Sequence, residues 1–143
     1  LGDVLALRAR ANGAAGIITD GAVRDHDAVA AAGVPVYSSG AHPAVLGRRH
    51  VPWDHDLTIS CGGATVQPGD IIVADADGVL VIPPALAEEV VEAALAKEAE
   101  DAWVADRVSE GEPIEGLFPM NEAWRQRYEA ERAAAGSAGD DAV

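Results

Sequence analysis

Cysteine, lysine, aromatic residues and long apolar runs are all scarce in this chain, and each scarcity excludes something. The single cysteine, Cys61, rules out an internal disulfide and a cysteine-based zinc site. One thiol without a signal sequence fits a cytoplasmic protein. No lysine occurs in the first 96 residues, so no lysine Schiff base can form in that segment. Aromatics make up 4% of the chain, which leaves Ala, Val, Ile and Leu to build the core. No apolar run approaches the ~18 residues that a membrane helix needs. Cations are outnumbered too: 24 acidic residues against 10 Lys and Arg give a net charge of −14. An acidic surface repels phosphate backbones and anionic bilayers, so the expected partners include neither nucleic acid nor membrane. The chain also lacks an internal repeat and an initial Met.

What is present is enough for about one domain: 143 residues, 49% of them apolar. The opening "LGDVLALRARANG" is a helix met at its first turn, with Gly2 and Asp3 as cap and first-turn residues. Val4, Leu5 and Leu7 form its expected apolar side, and Gly13 is its stop. So abrupt a start leads to the expectation that upstream sequence is missing. "GIIT" (16–19) reads as a short buried strand, "HDAVAAAG" (26–33) as a helix closed by Gly33, and "VPVYSS" (34–39) as a second strand. That order predicts parallel pairing through a right-handed crossover. Residues 40–56 show no period and read as loop.

Residues 57–83 are strand-rich. Pro68-Gly69 fits a type II turn, and "DADG" (75–78) between "IIVA" and "VLVI" predicts a hairpin. Pro83 and Pro84 suit a helix start. Leu86, Val90, Val91, Leu95 and Trp103 then recur at near-helical spacing, so 85–108 is expected to be one long amphipathic helix. "SEGEPIEGLFPM" reads as a linker, 121–135 as a charged helix capped by Asn121, and "GSAGDDAV" (136–143) as disordered.

The stretch "ITDGAVRD" (18–25) holds the candidate chemistry. Arg24 and Asp25 stand side by side just after a strand in an α/β pattern, where ligands collect. Gly21 and Ala22 remove bulk beside them. An Arg together with a helix N-terminus suits a carboxylate, and an Asp suits a hard divalent cation such as Mg²⁺, directly or through waters. The plain alternative is a surface ion pair that braces a loop.

Four blocks, "LGD" (1–3), "NGAAGIITDGAVRD" (12–25), "PVYSSGAHP" (35–43) and "PGDIIVADADGVLVIP" (68–83), together resemble the regulator of ribonuclease activity A-like (RraA-like) family. The spacing of Asp3, Arg24 and Asp25 resembles its 4-hydroxy-4-methyl-2-oxoglutarate aldolase branch. The resemblance covers about residues 1–105. It implies a swivelling β/β/α-type α/β fold with mixed sheets and a long C-terminal helix. The domain would run over 1–108, N-terminally truncated, with a C-terminal extension over 109–143. It also implies a homotrimer or homohexamer with the site between subunits, where a neighbouring subunit contributes an acidic residue. In that site Asp25 anchors Mg²⁺ or Mn²⁺, Arg24 binds the 2-oxo acid and steadies an enolate, and Asp3 orients a water on the metal. Backbone amides near Leu1 and Gly2 meet the substrate carboxylate.

The implied activity is a metal-dependent, pyruvate-type aldolase that also decarboxylates oxaloacetate through a shared pyruvate enolate. The missing lysine favours this metal route independently, because it removes the Schiff-base alternative. A second reading is a non-catalytic protein that regulates ribonuclease E by binding it; such a binder needs none of Asp3, Arg24 and Asp25. A methyltransferase reading finds no glycine-rich strand–loop–helix with an acidic partner for S-adenosylmethionine.

Other residues read more blandly. His42, His50 and His55, with Asp54 and Asp56, match no standard ligand spacing, and Trp53 is expected to pack beside a polar loop. His26 is read as a helix-start residue with a role near Asp25 as the alternative, and Asp20 as either turning its loop or touching the site. Cys61 reads as a small buried apolar residue, and Asp70, Asp75 and Asp77 as turn acids. The acidic face of 85–108 reads as a solvated side or an oligomer contact.

Overall fold

Gly2 starts the first helix without a capping side chain: its backbone is extended (φ −141°, ψ −178°) and α1 (Asp3–Ala11) follows directly. This is a computed structural model, which describes residues 1–48 and 50–140, with side chains through residue 135. α1 ends at Asn12 and Gly13, the latter at φ 82°, a left-handed value that glycine adopts at little cost. Its apolar side is not the expected one. Val4, Leu5 and Leu7 are exposed and Ala6 is fully buried. α1 packs on α2 (His26–Ala30), and the small Ala6 side chain lets the two backbones approach.

β1 (Ile17–Ile18) and β2 (Val36–Tyr37) pair in parallel, Ile17 opposite Val36 and Ile18 opposite Tyr37, with α2 between them in sequence as expected. Ala6, Val29, Ala32 and Val34 form the core of this part, with Ile17 and Val36 packed against it. β1 is less buried than its composition promised. A two-stranded sheet has one covered face here, so Ile17 is half-buried and Ile18 exposed.

The parallel run continues past the strands. The Ser39 amide donates to the Gly21 carbonyl at 3.0 Å, and the Val23 amide to the Gly40 carbonyl at 2.8 Å. An isolated parallel bridge then joins Val23 to Ala41. The next residue on each segment is Arg24 on one and His42 on the other.

β3 (Ile59–Cys61) and β4 (Ala64–Val66) form an antiparallel hairpin whose turn, Gly62-Gly63, has φ 59° and 83°. Two successive positive φ values suit the right-handed twist of a hairpin. Gln67 to Asp70 close a turn in which the Asp70 amide donates to the Gln67 carbonyl at 3.1 Å, with Gly69 at φ 93°, as a type II turn requires. β5 (Ile71–Ala74) and β6 (Val79–Ile82) form the second antiparallel hairpin. Its loop is held by Asp75, whose Oδ1 accepts from the amides of Asp77 (2.9 Å) and Gly78 (3.2 Å).

A 3-10 turn at Pro84–Leu86 leads into α3 (Ala87–Ser109), and α4 (Glu122–Asp140) follows. The protein is thus an α/β fold with small sheets, one parallel and two antiparallel among the described residues, and a long helix in its C-terminal part. The chain divides into two units, Leu1–Ala87 and Glu88–Val143. The division falls at the foot of α3, whereas the sequence reading carried the first domain through residue 108.

In the second unit Trp103 meets Trp124 and Tyr128 edge-on, with ring centroids 6.1 and 5.4 Å apart. Val104, Leu117 and Tyr128 are buried. The expected stripe of Val90, Val91 and Leu95 is exposed instead. The segment read as a linker therefore supplies a core residue, Leu117. Asn121 caps α4 as expected, its Oδ1 accepting from the Trp124 amide at 3.0 Å. α4 runs to Asp140, into the stretch read as disordered from residue 136; residues 141–143 lie outside the described residues. Among the described residues no helix is long and apolar enough to cross a membrane.

Candidate active site

A cavity of about 310 Å³ opens in the first unit, at the end where the two parallel segments release Arg24 and His42. Leu1, Gly2, Asp3, Val4 and Leu5 form one wall, which is the N-terminus of α1. Ala22 and Arg24 stand beside them, and His42, Ala44, Val45, Leu46 and His50 form the rest of the lining. The chain start is tied in by the Arg24 amide, which donates to the Leu1 carbonyl at 2.9 Å.

The α1 N-terminus has Gly2 at its cap position and the acidic Asp3 in its first turn. The cap residue itself, Gly2, contributes no side-chain hydrogen bond. The Val4 amide is taken by Asp3 Oδ1 at 2.8 Å, and the Ala6 amide by the Gly2 carbonyl at 3.1 Å. The first turn of α1, with the positive end of the helix dipole and the Asp3 carboxylate, lines the same cavity as Arg24. Gly2 keeps that space open. A Cβ there would lie 3.3 Å from Asp25 Oδ2 and 3.6 Å from Arg24 Nη2. Its backbone does not need glycine, so close approach is the reason for one.

Asp25 backs Arg24 and does not line the cavity. Its Oδ2 accepts from Arg24 Nε at 2.8 Å, with both side chains about two-fifths exposed. That hydrogen bond, then the Asp25 charge, holds the guanidinium more firmly protonated than usual, and the Asp3 charge adds to it. The bond uses Nε and leaves the two terminal nitrogens of Arg24 for a ligand. Asp25 precedes α2 yet makes no side-chain cap, and its backbone is left-handed (φ 56°, ψ 45°). A non-glycine residue held there is strained, a feature that gathers at functional sites.

Asp25 offers a hard oxygen donor, and no group of three or more His, Cys, Asp or Glu side chains is gathered to hold a metal among the described residues. A single carboxylate fits Mg²⁺ or Mn²⁺ that keeps waters or takes ligands from elsewhere; it does not make a closed cage of zinc type.

The structure thus gathers Leu1, Gly2, Asp3 and Arg24 around one cavity and sets Asp25 against Arg24. Other candidates fall elsewhere. Asp20 accepts from the Gly62 amide at 3.3 Å and so braces the β3–β4 turn. His26 lies 3.5 Å from Asp27 at the start of α2, and His55 sits between Asp54 and Asp56 at 3.5 and 3.9 Å. Trp53 does not pack on its loop; it is 91% exposed. Cys61 is half-buried at the end of β3, and Asp70 and Asp75 hold turns as read. The sequence reading weighed His42 and His50 as members of an irregular loop without placing them at a cavity, which both line. The available signal was the parallel register, which brings the residue after Ala41 level with the residue after Val23.

The model of the RraA-like family, Aldolase/RraA, matches residues 1–81. A protein of Halalkalibacterium halodurans, provisionally named a 4-hydroxy-4-methyl-2-oxoglutarate aldolase, is 41% identical over 105 residues, covering 70% of this chain and 47% of that protein. The crystal structure of an uncharacterized protein from Pseudomonas syringae pv. tomato matches with a TM-score of 0.74 and 34% identity, over 81% of this chain and 58% of that one. Streptomyces coelicolor RraAS2, described as an unusual member of the RNase ES inhibitor RraA protein family, matches with a TM-score of 0.67 and 36% identity, over 71% of this chain and 52% of that one. The chain spans about half the length of the curated relatives it matches. The family match runs through α1, the Arg24–Asp25 loop, the cavity lining and the β3–β4 hairpin into β6, and by it the chain belongs to the RraA-like family.

Proposed function

We propose that the protein is a divalent-metal-dependent, pyruvate-type aldolase. It cleaves 4-hydroxy-2-oxo acids related to 4-hydroxy-4-methyl-2-oxoglutarate and decarboxylates oxaloacetate. The observation that carries this reading is the α1 N-terminus lining the same cavity as Arg24, with Asp25 hydrogen-bonded to that guanidinium. Amides and a guanidinium on one small space are what a 2-oxo acid carboxylate and an enolate oxygen require.

In this reading the first-turn amides near Leu1 and Gly2 hold the substrate carboxylate. Arg24 donates to the keto oxygen and to the charge that grows on it as the C–C bond breaks. Asp3, on the cavity wall, holds the water that takes the hydroxyl proton in retro-aldol cleavage. Decarboxylation of oxaloacetate gives the same pyruvate enolate and removes no hydroxyl proton, so it makes less demand on Asp3. A divalent cation at Asp25, when bound, supplies Lewis-acid polarisation. Assembly as a homotrimer or homohexamer and a cytoplasmic location belong to the same proposal.

The likeness to RraAS2 supports the second reading, a non-catalytic regulator that binds a ribonuclease. The two separate cleanly. The aldolase releases pyruvate from oxaloacetate and from 4-hydroxy-4-methyl-2-oxoglutarate with Mg²⁺ or Mn²⁺, and EDTA abolishes both. Intact, folded protein that releases no pyruvate under any metal condition refutes the enzyme and favours the binder.

A further inference from the structure

We infer that the wall formed by residues 42–46 reads the far end of the ligand, with His42 donating a hydrogen bond from Nε2 to the distal carboxylate of a dicarboxylic 2-oxo acid. The inference rests on the cavity being a 2-oxo acid site and names the part of the substrate that the α1 wall leaves unread.

His42 is committed to one tautomer by its own loop. Its Nδ1 accepts from the Ala44 amide at 3.0 Å. A backbone amide can only donate, so Nδ1 carries no proton and the proton of the ring sits on Nε2. The backbone is fixed as well: the His42 amide donates to the Val23 carbonyl at 2.8 Å, one residue before Arg24. The imidazole is therefore held from two sides, in register with the guanidinium, and lines the cavity that Arg24 lines.

The two walls differ in chemistry. The α1 side offers amides and a fixed cation, suited to the carboxylate and keto group. The rest of the lining pairs imidazoles, His42 and His50, with the apolar side chains of Ala44, Val45 and Leu46. A neutral N–H donor beside aliphatic carbon fits a distal carboxylate carried on a short carbon chain.

The test uses two probes that undergo neither cleavage nor decarboxylation and differ in one group: 2-oxoglutarate, with a distal carboxylate, and 2-oxobutanoate, without one. Their dissociation constants are measured by calorimetry on the intact protein with Mg²⁺. Wild type is expected to prefer 2-oxoglutarate. His42→Ala should lose about 10- to 100-fold in affinity for it, the range for a hydrogen bond to a charged group, and two- to threefold at most for 2-oxobutanoate. His42→Asn, which keeps an acceptor for the Ala44 amide and a donor for the ligand, should recover part of the preference and guards against misfolding of the Ala variant. Equal loss on both probes, or no preference in wild type, overturns the inference. Wild type that binds 2-oxoglutarate selectively through His42 but releases no pyruvate from oxaloacetate leaves the inference standing and removes the aldolase reading instead.

Discussion

Asp25 combines a left-handed backbone with a carboxylate turned away from the helix it precedes and toward Arg24. The backbone costs an L-residue about 1–2 kcal/mol, which glycine would not incur. Asp25→Gly should therefore unfold in urea at the wild-type midpoint or above it, while pyruvate release from oxaloacetate collapses. A clearly lower midpoint would mean that the pair serves the fold and not the ligand. Arg24→Ala should lower turnover by about 10²–10³, the usual loss for one preorganised donor, and added Mg²⁺ or Mn²⁺ should not restore it. Arg24→Lys keeps the charge but has no Nε to donate to Asp25, so it should stay close to the Ala variant in steady-state kinetics. The Arg-Asp pair could be read from the sequence because its neighbours, Gly21 and Ala22, strip the loop of bulk. His42 could not, because no ligand spacing marks it. Its place depends on a register between segments some twenty residues apart, and register is a property of paired backbones.

α3 and α4 are joined by charge as well as by the aromatic cluster. Arg125 on α4 donates to Glu100 on α3, and Lys97 adds a second hydrogen bond to it at 3.0 Å. Together they hold the Glu100 carboxyl below the ordinary glutamate range, Arg125 contributing most. Glu131 is lowered likewise, first by the Trp103 indole N–H and then by Arg127. A carboxyl depressed in the folded state stabilises it at and above the unfolded glutamate range, and that stabilisation is lost as pH falls through the folded value. The helix pair should thus melt at progressively lower temperature as pH drops below the ordinary glutamate range. Glu100→Gln should flatten that dependence when followed by far-UV circular dichroism. Asn121→Ala, which removes the α4 cap, should cost about 1 kcal/mol in the same experiment at neutral pH. The length of α3 was legible, since its apolar spacing runs unbroken from the Pro83-Pro84 start. Which of its residues are buried was not: helical period marks a face, and only the partner decides whether that face is covered.

For the molecule as a whole, the apolar content is not matched by burial. Leu57, Ile59, Val73, Leu80 and Leu95 all remain more than half exposed. Exposed apolar surface of this kind is what the proposed assembly would cover. Sedimentation at micromolar concentration should give a trimer or a dimer of trimers, and an active monomer would refute the proposed assembly. The three tryptophans carry a consequence of a different kind. Trp103 and Trp124 sit in one edge-to-face cluster after residue 87, while Trp53 stands almost bare to solvent before it. Their emission should therefore resolve into two populations, a red-shifted one that acrylamide quenches readily and a bluer one that it reaches slowly. The chain carries a built-in optical label on each of its two units, so the loss of one can be timed against the loss of the other without a dye.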